Sequence, residues 1–286
     1  MSMLTPREVA DSYAAAGVAK AKSPAWRLLL LGIAAGMFVG FGAAASSTAV
    51  FDIHNVGIAR FLAALIFPIG LCMVVVLGAE LFTGNVTMVT SVLSGRISWR
   101  RMFRNWAIVY VGNCIGAMGL ASLLAFFGQF DIGGGGVAVY AAKAASAKAS
   151  LPWMNAFVLG IFCNVLVCVA AYLGGTARET GGRLAGLFLP IVAFVTCGFE
   201  HCVANMFYIP AGIFATMNPA YADMIVDAGI NTAVLNFGTF VTANLIPVTL
   251  GNIVGGLAVG LFMYFAHATR RTDPDFPAPE PEAAQG

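Results

Sequence analysis

Charge is what this chain has least of. Of its 286 residues, 15 are Lys or Arg and 13 are Asp or Glu, together 10%, where soluble domains carry about 25%. That shortfall, with 59% hydrophobic residues, excludes an ordinary soluble globular protein. The stretches 28–51, 61–79, 105–130, 149–177, 184–199, 202–222 and 228–266 contain no Asp, Glu, Lys, Arg or His. Several exceed the roughly 20 residues that cross a bilayer core. Histidine is scarcer still, three in all, and no two of the six cysteines form a CxxC pair. Neither a metal centre nor a disulfide framework is expected, and the cysteines read as small buried hydrophobes. No cofactor is implied. The net charge of +2 gives no reason to expect a nucleic-acid partner.

Where charge does interrupt the apolar sequence, it does so in a repeated way. Glu80-Leu-Phe-Thr-Gly-Asn85 and Glu200-His-Cys-Val-Ala-Asn205 share Glu-x4-Asn spacing. An ionisable group at bilayer depth is costly and normally lines a cavity or pathway. The flanking segments 61–95 and 184–222 would be over about 50 Å long as straight helices, against a hydrocarbon core of about 30 Å. Each is therefore expected to be a half-helix, an unwound turn and a second half-helix. Six spans follow: 28–48, 61–93 broken near 80–85, 105–129, 154–175, 184–216 broken near 199–203, and 234–266. The 33 glycines suit closely packed membrane helices.

Twelve basic residues (Arg7, Lys20, Lys22, Arg27, Arg96, Arg100, Arg101, Arg104, Arg178, Arg183, Arg270, Arg271) fall on one side of this topology and three (Arg60, Lys143, Lys148) on the other. The excess predicts both termini in the cytoplasm. Residues 1–25 are expected to form a cytoplasmic amphipathic segment outside the pore. It starts with the capping box Thr5-Pro-Arg-Glu8, runs through Val18 and carries no cleaved signal. Residues 269–286, rich in Pro, Ala and acidic residues, are expected to be a disordered tail.

The body of the chain, 26–268, reads as a duplication. Asn105-x6-Gly-Asn113-x2-Gly116 is repeated as Asn244-x6-Gly-Asn252-x2-Gly255, in the same order relative to the Glu-x4-Asn motifs. Repeats 26–130 and 152–268 would each hold three spans, an odd number, so the second copy is inverted with respect to the first. The expected fold is an all-α integral membrane protein of six helices in two inverted three-helix repeats, with the second and fifth helices broken.

Ala79-Glu-Leu-Phe-Thr83, Gly198-Phe-Glu-His-Cys-Val-Ala-Asn-Met-Phe207 and Asn244-Leu-Ile-Pro-Val-Thr-Leu-Gly-Asn252 closely resemble the signatures of the formate/nitrite transporter family, in its formate channel-like branch. The resemblance runs from about Trp26 to Ala266. It implies an aquaporin-like protomer, a homopentamer with one pore per protomer, a bacterial inner-membrane location, and passage of small monovalent weak-acid anions with protons. Formate is the first expectation; nitrite, hydrosulfide, acetate and lactate are alternatives. By resemblance the central histidine falls on His201, the loop threonine on Thr83, the vestibular lysine on Lys148 and the pore-facing asparagine on Asn164. Constriction residues fall on Phe67 and Leu71 at one narrowing and Phe194 at the other.

Each residue has a plainer reading. His201 alone could be a hydrogen-bonded packing residue, although its place in a broken helix beside Glu200 argues against that. Glu80 and Glu200 read as scaffolds accepting freed backbone N–H groups, with Asn85 and Asn205 doing similar work. Thr83 suits a helix cap as well as a substrate donor, Phe67, Leu71 and Phe194 suit ordinary packing, and Lys148 suits a solvated charge in the expected 131–150 loop, where Lys143 is its competitor. Exposed N–H groups near Gly84 and Cys202 would present positive dipole ends to an anion. An aquaporin-like neutral-solute channel is the main rival, but Asn218-Pro-Ala220 occurs only once. An enzyme built on Glu200, His201 and Cys202 is disfavoured because neighbouring helical side chains diverge by about 100°.

Overall fold

The computed structural model describes residues Met3–Thr269. Among them no strand occurs, and the chain is helical nearly throughout. Helix α1, Pro6–Lys22, opens on the expected capping box: Thr5 accepts the Glu8 N–H while the Glu8 carboxylate accepts the Thr5 N–H. The Thr5 backbone and hydroxyl bonds hold the exposed Glu8 carboxyl below its ordinary range. The helix continues past Val18 because Ala19-Lys-Ala-Lys22 are good helix formers and no breaker precedes Ser23-Pro24. Its buried stripe of Ala10, Ala14, Gly17 and Ala21 has helical spacing. It packs on the bundle instead of lying apart from it, with Val9 and Ala10 meeting Cys168, Tyr172, Val259 and Met263.

Among the described residues, six helical segments are long and apolar enough to cross a membrane. Helix α2 spans Ala25–Val50. The second crossing is Val56–Val76, formed by α3, Val56–Ile66, and α4, Ile69–Val76, on either side of Pro68. After a break come the short α5, Phe82–Asn85, and α6, Val89–Leu93. Helix α7 spans Trp99–Phe126. The segment 131–150 is not a loop: it holds α8, Gly136–Ala149. Helices α9, Trp153–Thr176, and α10, Thr180–Cys197, follow, and α11, Cys202–Met217, is the second half of the fifth span. The short α12, Pro219–Asp227, leads to a last crossing that starts in α13, Phe237–Thr239, widens over 240–245 and runs on as α14, Ile246–His267. Of the expected tail, 269–286, all but Thr269 lies outside the described residues.

The duplication is visible in the packing. Helix α2 lies along α7 as α9 lies along α14, and both pairs depend on glycine. A Cβ placed on Gly116 would come within 2.0 Å of the Ile33 carbonyl, and one on Gly255 within 2.1 Å of the Ile161 carbonyl. Only a hydrogen side chain allows backbones this close. The N-terminus of α1 and the end of α9 share one face, where the Leu4 N–H meets the Thr176 carbonyl at 2.9 Å. This is called the near face below, and the face holding α8 the far face. Helix α2 leaves the near face and α9 returns to it, so the two repeats are inverted.

Candidate functional site

Both breaks are built the same way. Gly78 and Gly198 take left-handed backbone, with φ of 68° and 73°, which ends the preceding helix without strain. Two residues later come Glu80 and Glu200. Then Leu81 and His201 are extended, with φ −107° and ψ 123° and with φ −112° and ψ 117°, before α5 and α11 begin. The first N–H of each new half-helix has a dedicated acceptor: Phe82 donates to Asn113 Oδ1 and Cys202 to Asn252 Oδ1, both at 2.9 Å. The same asparagines donate from Nδ2 to the Gly32 and Glu80 carbonyls at 2.8 and 2.9 Å, and to the Gly160 and Glu200 carbonyls at the same distances. Unwound backbone in an apolar interior must be satisfied locally, and one asparagine per break does most of it.

The carboxylates are held by side chains, not by freed backbone N–H groups as the sequence suggested. Glu80 accepts from Lys20 Nζ at 2.8 Å and Asn85 Nδ2 at 2.6 Å. Glu200 accepts from Lys148 Nζ at 2.7 Å and Asn205 Nδ2 at 2.6 Å. Asn85 and Asn205 donate onward to Asn105 Oδ1 and Asn244 Oδ1 at 2.8 and 2.7 Å. Both glutamates are buried, at 8% and 4% exposure. A bare carboxylate at that depth would be very costly, and pairing with an ammonium and an amide offsets the desolvation. Lys20 lies twelve residues before Gly32, as Lys148 lies twelve before Gly160. Helix α1 thus supplies to the first break what α8 supplies to the second.

The two cages differ where the symmetry puts Leu81 opposite His201. His201 is 4% exposed, and its Nδ1 accepts the Ala204 N–H at 3.1 Å. A ring that accepts at Nδ1 carries its hydrogen on Nε2. That hydrogen points at Thr83 Oγ1, 2.9 Å away. Thr83 is the second residue of α5 and contacts His201 instead of capping its own helix. Asn164 donates to the Thr83 carbonyl at 3.2 Å and to the Asn252 carbonyl at 2.6 Å, tying the first break to α14. With Phe82, Cys202 and Ala204 N–H groups already bonded, the half-helix starts are less open than the sequence suggested.

Phe194 stacks beside His201, ring centroids 6.1 Å apart, and meets Phe67 edge-on at 5.6 Å. Phe67 and Phe194, expected at separate narrowings, are brought together into one aromatic pair by the packing of α3 on α10. Leu71, one turn along from Phe67, is buried at 8% exposure. Beyond the pair, Phe67 stacks on Tyr208 at 6.5 Å, and Lys148 lies over the Tyr208 ring at 5.4 Å. Tyr208, two helical turns beyond His201 on α11, has no signature in the sequence that marks it for this place. Asn105, Asn113, Asn244 and Asn252 show in the sequence only as a repeat, and Lys20, expected outside the pore, reaches Glu80. Lys143 is exposed on α8. Among the described residues no cluster of three His, Cys, Asp or Glu could hold a metal ion.

Comparison with known proteins accords with this geometry. The formate/nitrite transporter family profile matches residues 7–266. The formate channel FocA of Haemophilus influenzae is 35% identical over 271 residues, covering 93% of this chain and 95% of the relative. The probable formate transporter of Methanothermobacter thermautotrophicus is 33% identical over 285 residues, covering 92% and 97%. A solved pentameric formate channel with formate bound superposes with a TM-score of 0.74 and 38% identity, over 84% of this chain and 96% of that one.

Proposed function

The chain belongs to the formate/nitrite transporter family, and from that premise we propose that it passes formate, as the first of the small monovalent weak-acid anions, through a pore centred on His201. Nitrite, hydrosulfide, acetate and lactate are the nearest alternatives. The observation that carries the reading is the buried Nε2–H of His201, aimed at Thr83 and flanked by Phe194. Relatives named as formate channels and a solved relative with formate bound support the substrate. That relative is pentameric, which supports a homopentamer here. The twelve-to-three bias of basic residues supports an inner-membrane topology with both termini in the cytoplasm, 1–25 and 269–286 flanking the pore domain 26–268. We read the protein as a conduit and not as an enzyme.

An anion crossing the Phe67–Phe194 pair and Leu71 sheds water, which costs many kcal/mol unless protein groups replace it. His201 offers one replacement. Its Nε2–H leaves Thr83 Oγ1 and donates to the anion, and the Thr83 hydroxyl turns to donate as a second group. The Nδ1 bond to Ala204 holds the ring still during this exchange. Protonating the anion in transit asks more of the site. The ring must first gain a hydrogen on Nδ1, which means breaking the bond to Ala204. The cage therefore favours hydrogen-bond donation, with proton transfer coupled to loosening of the first turn of α11. Glu80, Glu200, Asn85 and Asn205 hold the two breaks, Asn164 spans them, and Lys148 balances the charge of Glu200.

Proteoliposome flux tests the reading. Wild type is expected to pass formate and exclude glycerol, whereas glycerol flux would favour the neutral-solute alternative. His201→Phe and Thr83→Val are expected to fold and to lose most formate flux. Unchanged flux in His201→Phe at both acidic and neutral pH would end the proposed role.

A further inference from the structure

The far mouth holds an arginine that, among the described residues, belongs to no ion pair. Arg60 is an exposed residue in the second turn of α3. It precedes Ala64, Phe67 and Leu71 at spacings of four, three and four residues, so all four share the helix stripe that leads to the aromatic pair. Seven residues of helix place Arg60 about 10 Å outward of Phe67. Its Nη1 donates to the Thr196 carbonyl at 3.4 Å, two residues beyond Phe194. Helices α3 and α10 are thus joined twice, at the aromatic pair and again just outside it.

The chemistry of that outer junction suits an anion. Thr196 offers a neutral acceptor in the last turn of α10, so Arg60 keeps its full charge. Among the described residues Arg60 belongs to no ion pair. Lys148 differs: its Nζ is 2.7 Å from Glu200 Oε1, and its charge is already matched. The exposure of Arg60 and the Thr196 bond place the guanidinium at the outer end of the junction between α3 and α10. A guanidinium has five N–H groups in a planar fork that fits a carboxylate in two-point fashion, and the Thr196 bond uses one. Space is also reserved for it. A Cβ on Gly198 would come within 2.7 Å of Arg60 Nη1, so the glycine that ends α10 also clears room for the guanidinium.

We propose that Arg60 is the anion receptor of the far mouth, binding the carboxylate group of the substrate before it meets Phe67 and Phe194. This rests on the transport reading above and names the residue that governs admission. Lys148 then serves the cage around Glu200, and the attraction of anions from solution falls to Arg60.

The test uses the full-length protein in proteoliposomes, with formate uptake measured at low and saturating formate and at low and high ionic strength set by an impermeant salt. Wild-type uptake at low formate is expected to fall about three- to ten-fold as salt screens the mouth. Arg60→Gln should start at the low value, show no salt dependence, and approach wild type at saturating formate. Arg60→Lys should recover much of the salt-dependent uptake, since it keeps the charge. If Arg60→Gln retains the wild-type salt dependence, the receptor assignment is wrong. If it loses flux equally at every salt and formate concentration and also melts earlier, Arg60 merely braces α3 on α10, and the assignment is equally wrong. Failure of Arg60 alone leaves wild-type flux intact. If wild type passes no formate, nitrite or hydrosulfide, the transport reading falls and the Arg60 role falls with it.

Discussion

Replacing Asn252 with alanine removes one small side chain and three hydrogen bonds at once. The Cys202 N–H loses its acceptor and the Glu200 carbonyl its donor, while the Gly160 carbonyl, inside α9, loses a second donor and keeps its helical one. Asn252 is fully buried, so water does not substitute freely. At about 1–3 kcal/mol for each of the two unsatisfied buried groups, the cost is about 2–6 kcal/mol. Membrane interiors temper this, because an unfolded chain in lipid also finds partners and such bonds average about 0.6 kcal/mol. Three of them still give about 2 kcal/mol, a floor of about 4–8 °C in melting temperature on the soluble-protein scale for chains of this size. Asn113→Ala removes the matching bonds at Phe82, Gly32 and Glu80 and should cost about the same. The pair separates scaffold from site. Only Asn252 anchors the residue next to His201, so Asn252→Ala should cut formate flux per folded molecule much more than Asn113→Ala. Thermal unfolding in detergent, with flux normalised to folded protein, measures both. A melting temperature within about 2 °C of wild type for Asn252→Ala would refute the reasoning, as would equal flux losses in the two variants.

Other outcomes follow from the same contacts. Lys20→Ala and Lys148→Ala each leave a buried carboxylate without its ammonium, a loss of about 3–5 kcal/mol where burial is complete and less at these partly open lysines; combining Lys148→Ala with Glu200→Gln should recover part of the melting temperature, and no recovery would mean that the pair is not the cause. Phe194→Ala or Leu71→Ala should raise the acetate-to-formate flux ratio while lowering stability by a few kcal/mol, about 3–5 for the phenylalanine; a destabilised variant with an unchanged ratio would remove that residue from the constriction. Glu8 has a folded-state value below its unfolded one because Thr5 bonds favour its charged form, so its support of α1 is present above the ordinary carboxylate range and is lost as pH falls through the lowered value. Amide protection factors over the first turn of α1, taken relative to intrinsic exchange at each pH, should therefore fall on acidification and do so less in Glu8→Gln, whose protection is already low.

The sequence was most legible where physics allows few solutions. A bilayer demands long uncharged runs, and a charged residue within one demands a reason, so the six crossings and the two breaks at Glu80 and Glu200 could be read directly. Helices that lie beside the membrane obey weaker rules. Segment 136–149 looked like a loop because the glycine run Gly133-Gly-Gly-Gly136 and two lysines resemble a solvated connection, yet its alanines favour helix. Helix α1 looked peripheral because Lys20 reads as one more cytoplasmic charge; only the fold brings it to Glu80. The partners of the carboxylates were missed for the same reason. Glu80 meets residues 20 and 85 and Glu200 meets 148 and 205, and the long-range half of each set has no local signature. Asn113 and Asn252 were visible as a repeat, but their task is to bond carbonyls on another helix, which spacing alone does not disclose. The separation of Phe67 from Phe194 failed because the approach of α3 to α10 is set in three dimensions.

A frame that nearly repeats itself after a two-fold turn about an axis in the membrane plane has little means of telling inside from outside. The glutamates, their asparagines, their lysines and the asparagines of α7 and α14 are matched on the two faces, so that frame should resist flow equally in both directions. Any rectification must arise where the match fails: His201 against Leu81, Thr83 against Val203, and Arg60 with Thr180 at the corresponding place in the other repeat. Exchanging residues across those positions is thus a direct way to ask whether the conduit has a preferred direction, and which few atoms set it.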